Sequence, residues 1–517
     1  MPTEIELKLL IDKKNIAALR ESLKQYANGV KAQRRHLLSY YFDTPTSEFW
    51  AKKMALRVRQ VDGKWVQTLK GDGGVNAGIH QRAEWETAVD DNHPDFARLA
   101  AAFPDDRVLQ RLIKKLPTED NIAAIFCTDF HREALTLPLP DGGEVEIAID
   151  EGNVLVGKKQ TPISELEVEL KSGNPVAVFD FGRRLLADVP LAIGIVSKAE
   201  RGYALVCREK LSVPQRALSV EFEPSTTVDD AFTTIFTECL GHLLGNVEGV
   251  VSGRDPEYLH QLRVAVRRLR GALTVFGDVA PKAVLAGISN ELREAGQTLG
   301  EARNWDVLLH ETIPDYEKSE GVTITAELAS QLQRDAQRVK ANARRLVRSR
   351  QFTDLLLAIG ACVVGRAWRQ NATESTLNAL SDSVGVFAVY AIQKRRRQLK
   401  KRVAAIEADD LETLHAIRIA AKKLRYSVQF FASLFPAKHV EPYANALAEI
   451  QNLLGRTNDM ATASKLLAGV AARSPELSDE VTAMNAWLQA QLHRDQRLFT
   501  KTWSRFIKLR PVTKNML

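Results

Sequence analysis

Residues 165–171 read Glu-Leu-Glu-Val-Glu-Leu-Lys, a strict alternation of charged and apolar side chains. Successive side chains of a strand point to opposite faces, so residues i, i+2 and i+4 follow one another at about 6.6 Å along one side. The segment is expected to be a strand with Glu165, Glu167, Glu169 and Lys171 on one face and Leu166, Val168 and Leu170 on the other. An outer sheet face normally scatters small polar residues and single charges; this one concentrates carboxylates. The apolar face then needs a cover, and the charged face needs water or opposite charge.

The pattern recurs. Segment 3–10 sets Glu4, Glu6 and Lys8 against Ile5, Leu7 and Leu9, and segment 144–150 sets Glu146 and Asp150 against Val145, Ile147 and Ile149. Further alternating segments lie at 55–61, 64–70 and 82–89. Asp62-Gly63 is a two-residue hairpin signal that pairs Val61 with Lys64, Arg59 with Val66 and Arg57 with Thr68. Arg57, Arg59, Thr68 and Lys70 then share a face, opposed by Leu56, Val58, Trp65 and Leu69. Residues 12–25 have a helical pattern suited to cover the sheet. Any one segment taken alone is more often a solvated polar face. Six together, acidic on some strands and basic on others, point to a sheet that closes around a charged lumen.

Clustered carboxylates suit hard cations such as Mg²⁺ or Mn²⁺, and Arg and Lys suit phosphate oxygens. A lumen holding both is suited to a polyphosphate chain bridged to metal, which neutralises charge and orients an attacking water.

Several of these motifs occur in one order: Glu4-x-Glu6-x-Lys8, YFDT at 41–44, Leu56-Arg57-Val58-Arg59, Thr68-Leu69-Lys70, TDFHR at 128–132, IAIDEG at 147–152, Glu165-x-Glu167-x-Glu169 and SKAERGY at 197–203. Together they resemble the CYTH superfamily, the triphosphate tunnel metalloenzymes, over residues 1–205. The resemblance implies an α+β domain built on an eight-stranded antiparallel tunnel. It implies that Glu4 and Glu6 bind a divalent metal that activates water, with Lys8 beside them in the catalytic set. Asp150, Glu167 and Glu169 would hold a metal bridging the triphosphate. Lys8, Arg57, Arg59, Lys70, Arg132, Lys198 and Arg201 would grip phosphates, with Arg82 and Glu165 as further candidates.

From about Val228 the reading changes to long helical segments, so the second half is expected to be all-α. Residues 206–225 contain Pro214 and Pro224 and no clear period, which places a linker there, ahead of a helical domain at 226–510. Ser225, Thr226 and Thr227 offer N-cap oxygens, with Asp229 and Asp230 in the first turn. LHQLRVAVRRLR at 259–270 matches LHAIRIAAKKLR at 414–425, an offset of 155 residues, and Asn304-x-Asp306 and Asn458-Asp459 follow in the two copies. This is an internal duplication.

On a helix, His260, Arg263, Arg267 and Arg270 fall within about 80° of arc, opposite Leu262, Val266 and Leu269. His415, Arg418, Lys422 and Arg425 repeat the stripe. Like charges at these spacings repel, and carrying them twice points to an anionic ligand. The two His-x-x-Arg helices resemble the CHAD domain, which implies paired helical bundles with a basic groove and polyphosphate as ligand. Arg303, Arg344, Arg345, Arg348 and the run Lys394-Arg395-Arg396-Arg397 are candidates to extend it.

Net charge agrees. Residues 1–220 hold 31 Lys and Arg against 31 Asp and Glu, and residues 221–517 hold 40 against 33, so the whole +7 excess lies in the helical half. Four cysteines without paired spacing, an acidic start and no long apolar run lead to the expectation of a cytoplasmic protein without membrane association. The function expected is metal-dependent hydrolysis of inorganic triphosphate, as in the bacterial two-domain CYTH–CHAD triphosphatases that the chain resembles, with long polyphosphate bound by the helices. Nucleic acid is not an expected partner. The alternatives are a class IV adenylyl cyclase-type lyase and a non-catalytic polyphosphate-binding protein.

Overall fold

The computed structural model describes residues 3–27, 29–140, 142–207, 213–223, 225–253, 255–405 and 411–516. Pro224 and residues 208–212 of the expected linker lie outside the described residues. The chain divides into two compact units, Met1–Val213 with Arg348–Gly365, and Pro214–Val347 with Arg366–Leu517.

The first unit is a closed antiparallel barrel. Its strands are β1 (Thr3–Leu10), β2 (Gln33–Asp43), β3 (Ala55–Val61), β4 (Lys64–Asn76), β5 (Ile79–Val89), β6 (Ala123–Pro138), β7 (Glu144–Val156) and β8 (Lys159–Ser172). They follow the order β5-β4-β3-β2-β6-β7-β8-β1, and β1 pairs with β5 to close the ring. A two-residue strand, β9 (Ala192–Ile193), adds to β1 at Leu9 and Leu10. The β3–β4 hairpin has the expected register, with Asp62 at φ 49° and Gly63 at φ 80° in its turn.

Alternation dictates which face goes where. Leu7, Leu9, Val145, Ile147, Ile149, Leu166 and Val168 point outward into one apolar core. The helices Ile16–Ala27 and Val176–Asp188 cover it with Leu19, Leu23, Phe179 and Leu185. Leu56, Val58, Leu69 and Trp85 pack outward against Phe49, Phe96, Leu99 and Leu109. A third cluster joins Leu37, Tyr41, Phe126 and Phe130 to the helix Lys198–Cys207 through Ala199 and Tyr203. That helix needs Gly202, because a Cβ there would lie 2.2 Å from the Phe126 ring. Asp43 of the YFDT segment anchors the same region: it is fully buried and accepts from the backbone N–H groups of Phe49 and Trp50 and from the Tyr203 hydroxyl.

The helix Arg350–Val364 belongs to this unit despite its place in the sequence. Leu357 joins the first core, Arg183 makes two N–H···O bonds to Asp354 at 2.7 and 3.0 Å, and Gly360 lies so close to Phe179 that a Cβ would meet its ring at 2.3 Å. The helices from Val228 onward, apart from Arg350–Val364, form the second unit. Thr227 caps the helix Val228–Ser252 by accepting from the Asp230 N–H. The two repeat helices are Pro256–Phe276 and Leu411–Phe430, each followed by a long helix, Lys282–Val307 and Ala437–Ala471. The repeat helices touch each other at Gly271, where a Cβ would lie 2.9 Å from the Tyr426 ring.

Candidate active site and a second basic face

The inward-facing positions of the barrel enclose a cavity of about 480 Å³. Strand register arranges its charges in rows. Glu6 on β1 stands opposite Glu169 on β8, which stands opposite Glu146 on β7, so three carboxylates lie side by side across neighbouring strands. Like charges directly opposite are unfavourable. Burial raises the Glu169 carboxyl above the ordinary range and Glu4 and Glu146 add to this, against the pull of Lys171 at 2.8 Å. In the next rows Lys8 faces Glu167, and Glu165 faces Asp150.

Asp150, Glu165 and Glu167 are buried and bring carboxylate oxygens within 4.8 Å of one another. Four cations hold them. Lys198 Nζ lies 2.7 Å from Asp150, 2.5 Å from Glu165 and 2.7 Å from Glu167. Lys8 Nζ lies 2.7 Å from Glu167 and 3.2 Å from Glu165. Arg132 donates through Nε and Nη2 to both oxygens of Asp150, at 2.8 and 2.6 Å, and also meets Glu167. Arg201 donates to Glu165 at 2.6 Å. Burial alone would raise these acids; Lys198, Lys8 and Arg132 outweigh it at Glu167 and hold its carboxyl well below the usual range. At Glu165, Lys198, Lys8 and Arg201 outweigh burial and bring it down to about 2.

Elsewhere on the same lumen Arg57 lies 3.4 Å from Glu84 and Arg59 lies 3.9 Å from Glu86. Arg59 is pushed down to about 10 by burial and by the neighbouring Arg57 and Arg132. The buried Nε of Arg57 and that of Arg59 have no hydrogen-bond partner among the described residues. A buried donor without an acceptor is costly, and a phosphate oxygen supplies the missing acceptor.

The lumen brings together Glu4, Glu6, Lys8, Arg57, Arg59, Lys70, Arg82, Arg132, Glu167, Glu169 and Lys198 of the sequence-derived set. Asp150 and Arg201 are not among its lining residues: Asp150 is fully buried beneath Arg132 and Lys198, and Arg201 turns to Glu165. Lys70 is spent in part on Glu4 at 2.7 Å, and Arg82 lies 3.9 Å from Glu200. Among the lining residues that escaped the sequence reading are His80 and Arg35. His80 extends the Arg82 alternation by one step and was legible by period; its Nε2 lies 3.2 Å from the Gly194 carbonyl oxygen. Arg35 on β2 sits in QRRHLLSYYFD, where polarity does not alternate and the inward face cannot be told.

An all-oxygen donor set fits a hard divalent cation. Glu4, Glu6, Glu167 and Glu169 reach the cavity from adjacent strands, and the repulsive Glu6–Glu169–Glu146 row is the kind of arrangement that such a cation relieves. Asp150 accepts two N–H···O bonds from Arg132 and meets Lys198, and with Glu165 and Glu167 it forms a buried group whose carboxylate oxygens converge closely enough to hold a metal ion.

In the second unit the two repeat helices bring their stripes together. Lys422 is pushed down to about 6 by burial and by Arg418, Arg267 and Arg263, with Asp459 alone opposing. Arg263 is pushed down to about 10 by burial, Arg267 and Arg418. The buried Nε groups of Arg267 and Arg418 have no hydrogen-bond partner among the described residues. Burial and Arg303 depress His260, and burial and Arg293 depress Arg270. His415 Nδ1 lies 3.1 Å from Asn458 Oδ1, and Arg425 donates to Gln451 at 2.9 Å. The run at 394–397 is partly used for packing: Lys394 pairs with Asp278 at 2.6 Å and buried Arg395 donates to the Thr274 carbonyl. Arg303 pairs with Glu311 at 2.5 Å, and Arg348 falls in the first unit.

The CYTH domain model matches residues 2–203 and the CHAD domain model residues 234–468. A Haemophilus influenzae protein named inorganic triphosphatase is 33% identical over 213 residues, which is 41% of this chain and 57% of that protein. An uncharacterized Mycobacterium tuberculosis protein is 30% identical over 208 residues, 39% of this chain and 38% of its own length. The matches thus span from little more than a third to just over half of these relatives. The crystal structure of the CHAD domain from the plant Ricinus communis is 33% identical, with a TM-score of 0.50, covering 58% of this chain and 98% of that one. Among the described residues no helix is long and apolar enough to cross a membrane.

The buried network sets a pH dependence. A carboxylate depressed in the folded state stabilises it above the unfolded value near 4.5, and that contribution is lost as pH falls toward the folded value. Denaturant melts of the first unit's signal should therefore hold steady from pH 7 to 5 and fall between about 4.5 and 2. Lys198→Met should abolish much of that fall by removing a cation common to all three acids; an unchanged profile would contradict the network.

Proposed function

Because the chain belongs to the CHAD family and carries a CYTH domain ahead of that module, we propose that its barrel hydrolyses inorganic triphosphate with a divalent cation and that its helical unit binds longer polyphosphate. One observation carries the first part: buried, unpartnered guanidinium Nε groups at Arg57 and Arg59 face the same enclosed cavity as a row of carboxylates. The Haemophilus relative, named an inorganic triphosphatase, supports it.

Under this reading Arg57, Arg59 and Arg132 take the phosphate oxygens, which at Arg57 and Arg59 also gives an acceptor to a buried Nε that otherwise has none. Asp150 orients Arg132 through two N–H···O bonds, so it acts on substrate through that guanidinium. Lys8 and Lys198 keep Glu165 and Glu167 ionised while facing the lumen themselves. Glu4, Glu6, Glu167 and Glu169 would hold Mg²⁺ or Mn²⁺, which when bound supplies Lewis-acid neutralisation of phosphate oxygens. Water adds to the terminal phosphorus and the bond to the bridging oxygen breaks, releasing orthophosphate and diphosphate. The preorganised Arg and Lys field favours the charge that the leaving diphosphate gains.

The lumen reading is tested by orthophosphate release from tripolyphosphate with Mg²⁺ or Mn²⁺. Glu4→Gln and Glu167→Gln should each lower kcat on the order of a hundredfold, the scale of losing one preorganised electrostatic group, with both variants still folded and Glu167→Gln melting lower because it removes one acid of the buried network. Full activity in both variants, or cyclic AMP formed from ATP at a comparable rate, would overturn it.

In the helical unit, His260, Arg263, Arg267, Arg270, His415, Arg418, Lys422 and Arg425 are proposed to bind polyphosphate. The Lys422 amine, at about 6, is mostly neutral at pH 7 in the free protein. An anion among these cations favours its charged form, so binding should take up a proton and strengthen as pH falls from 8 to 6. Calorimetry in two buffers of different ionisation enthalpy should show that uptake for long-chain polyphosphate, and Lys422→Met should remove it. Arg263→Glu with Arg418→Glu should weaken binding and flatten its salt slope, by about one per lost contact. Equal binding by that double variant would place the ligand elsewhere.

A further inference from the structure

The helical unit holds a third charged site, away from the basic stripe. A cavity of about 270 Å³ lies between the end of the helix Val228–Ser252, the start of Pro256–Phe276, the π-helical turn Leu308–Thr312 and the helix Ala326–Val347. Asp306 lines it and is fully buried. Lys340 Nζ meets Asp306 Oδ1 at 2.5 Å, and Oδ2 has no hydrogen-bond donor among the described residues. Asp306 comes from the Asn304-x-Asp306 element of the first repeat. In the second repeat Asp459 lies 3.9 Å from Arg418 of the basic stripe, whereas Asp306 lines this cavity.

Three features besides the carboxylate point to a built site. The π-turn begins two residues after Asp306, and such turns are costly and concentrate at functional sites. It places His310 on the cavity rim. Gly253, at φ 63°, leaves room for the Arg344 guanidinium, which a Cβ there would meet at 2.2 Å, and Arg344 also lines the cavity. Val250, Leu259, Ala336 and Ala343 supply apolar wall.

The ligand chemistry follows from these groups. The orphan Asp306 oxygen needs a hydroxyl or N–H donor. Lys340, Arg344 and His310 are donors that favour an anionic group, so a bare cation is disfavoured. A naked phosphate chain has no donor for Asp306 and would be repelled by it. We infer that this cavity binds a phosphorylated sugar, with hydroxyls on Asp306, phosphate toward Arg344 and His310, and the apolar body along the wall. A carboxylate accepting ribose hydroxyls is an established mode of nucleotide recognition, and the volume sits just below the ~300–1,000 Å³ of ligand pockets.

The experiment is calorimetric titration of the full chain with adenosine monophosphate, in chelator and excess tripolyphosphate so that phosphate-only sites are filled. Binding to one site is expected. Arg344→Ala, at an exposed position, and Asp306→Asn should each weaken it about tenfold or more, the scale of one hydrogen bond to a charged group, with melts confirming that both variants fold. Displacement by ribose 5-phosphate would assign the site to sugar phosphates in general; retention against it would assign it to nucleotides. No binding by the wild-type chain, loss of binding to inorganic phosphate alone, or an unaltered affinity in folded Arg344→Ala would overturn the inference.

Discussion

Three carboxylates and four cations meet inside the barrel, and the rest of the first unit is arranged around that meeting. Asp150, Glu165 and Glu167 sit with Lys8, Arg132, Lys198 and Arg201 where bulk water hardly reaches. Taking so many charges out of water is expensive, and a well-packed apolar core of the same volume would usually be at least as stable. The network is affordable only because each acid has several partners and because the barrel closes, which fixes strand register and so fixes which charges face one another. Closure turns the apolar faces of β1, β7 and β8 outward, and the covering helices Ile16–Ala27 and Val176–Asp188 follow from that. The network also leaves a remainder. Arg57 and Arg59 each keep a buried Nε without an acceptor beside their contacts to Glu84 and Glu86, and Glu6, Glu169 and Glu146 stand side by side. A phosphate chain with a hard cation answers both imbalances at once.

The helical unit uses related physics with one sign missing. Duplicated helices bring Arg263, Arg267, Arg418 and Lys422 together with Asp459 as the acid that opposes their mutual repulsion. The cost shows in the depressed Lys422 and Arg263. Duplication makes this economical, since one stripe copied onto a second helix that packs against the first doubles the charge density at one seam.

Much of this was legible in the sequence because alternation has only two faces. On β1 and β8 the charged residues Glu4, Glu6, Lys8 and Glu165, Glu167, Glu169, Lys171 alternate with apolar ones, and on β7 Glu146 and Asp150 share a face, so both the strand and its inward side follow directly. Asp62-Gly63 gave the hairpin register because its turn admits few alternatives. β2 and β6 were not legible: QRRHLLSYYFD does not alternate, and Arg35 went unassigned with it. Residue identity also says less than residue partner. Asp150 and Arg201 match family motifs, yet their placement beneath Arg132 and beside Glu165 depends on strands far apart in sequence. The helix Arg350–Val364 shows the same limit on a larger scale. Its own period reads as one more helix of the second half, whereas Leu357 and Gly360 fit the outer core of the barrel. Asp306 could be picked out as a repeated motif, but its place in a cavity beside the helix Ala326–Val347 depends on packing that the motif does not reveal.

The most direct measurement is a crystal structure of the chain with Mn²⁺ and a slowly hydrolysed triphosphate analogue, using anomalous scattering to find the metal. The account requires manganese density against Glu4, Glu6, Glu167 or Glu169, with phosphate oxygens on Arg57 and Arg59 inside the barrel. Metal and phosphate bound only outside the lumen, with the Arg57 and Arg59 side chains unchanged, would contradict it.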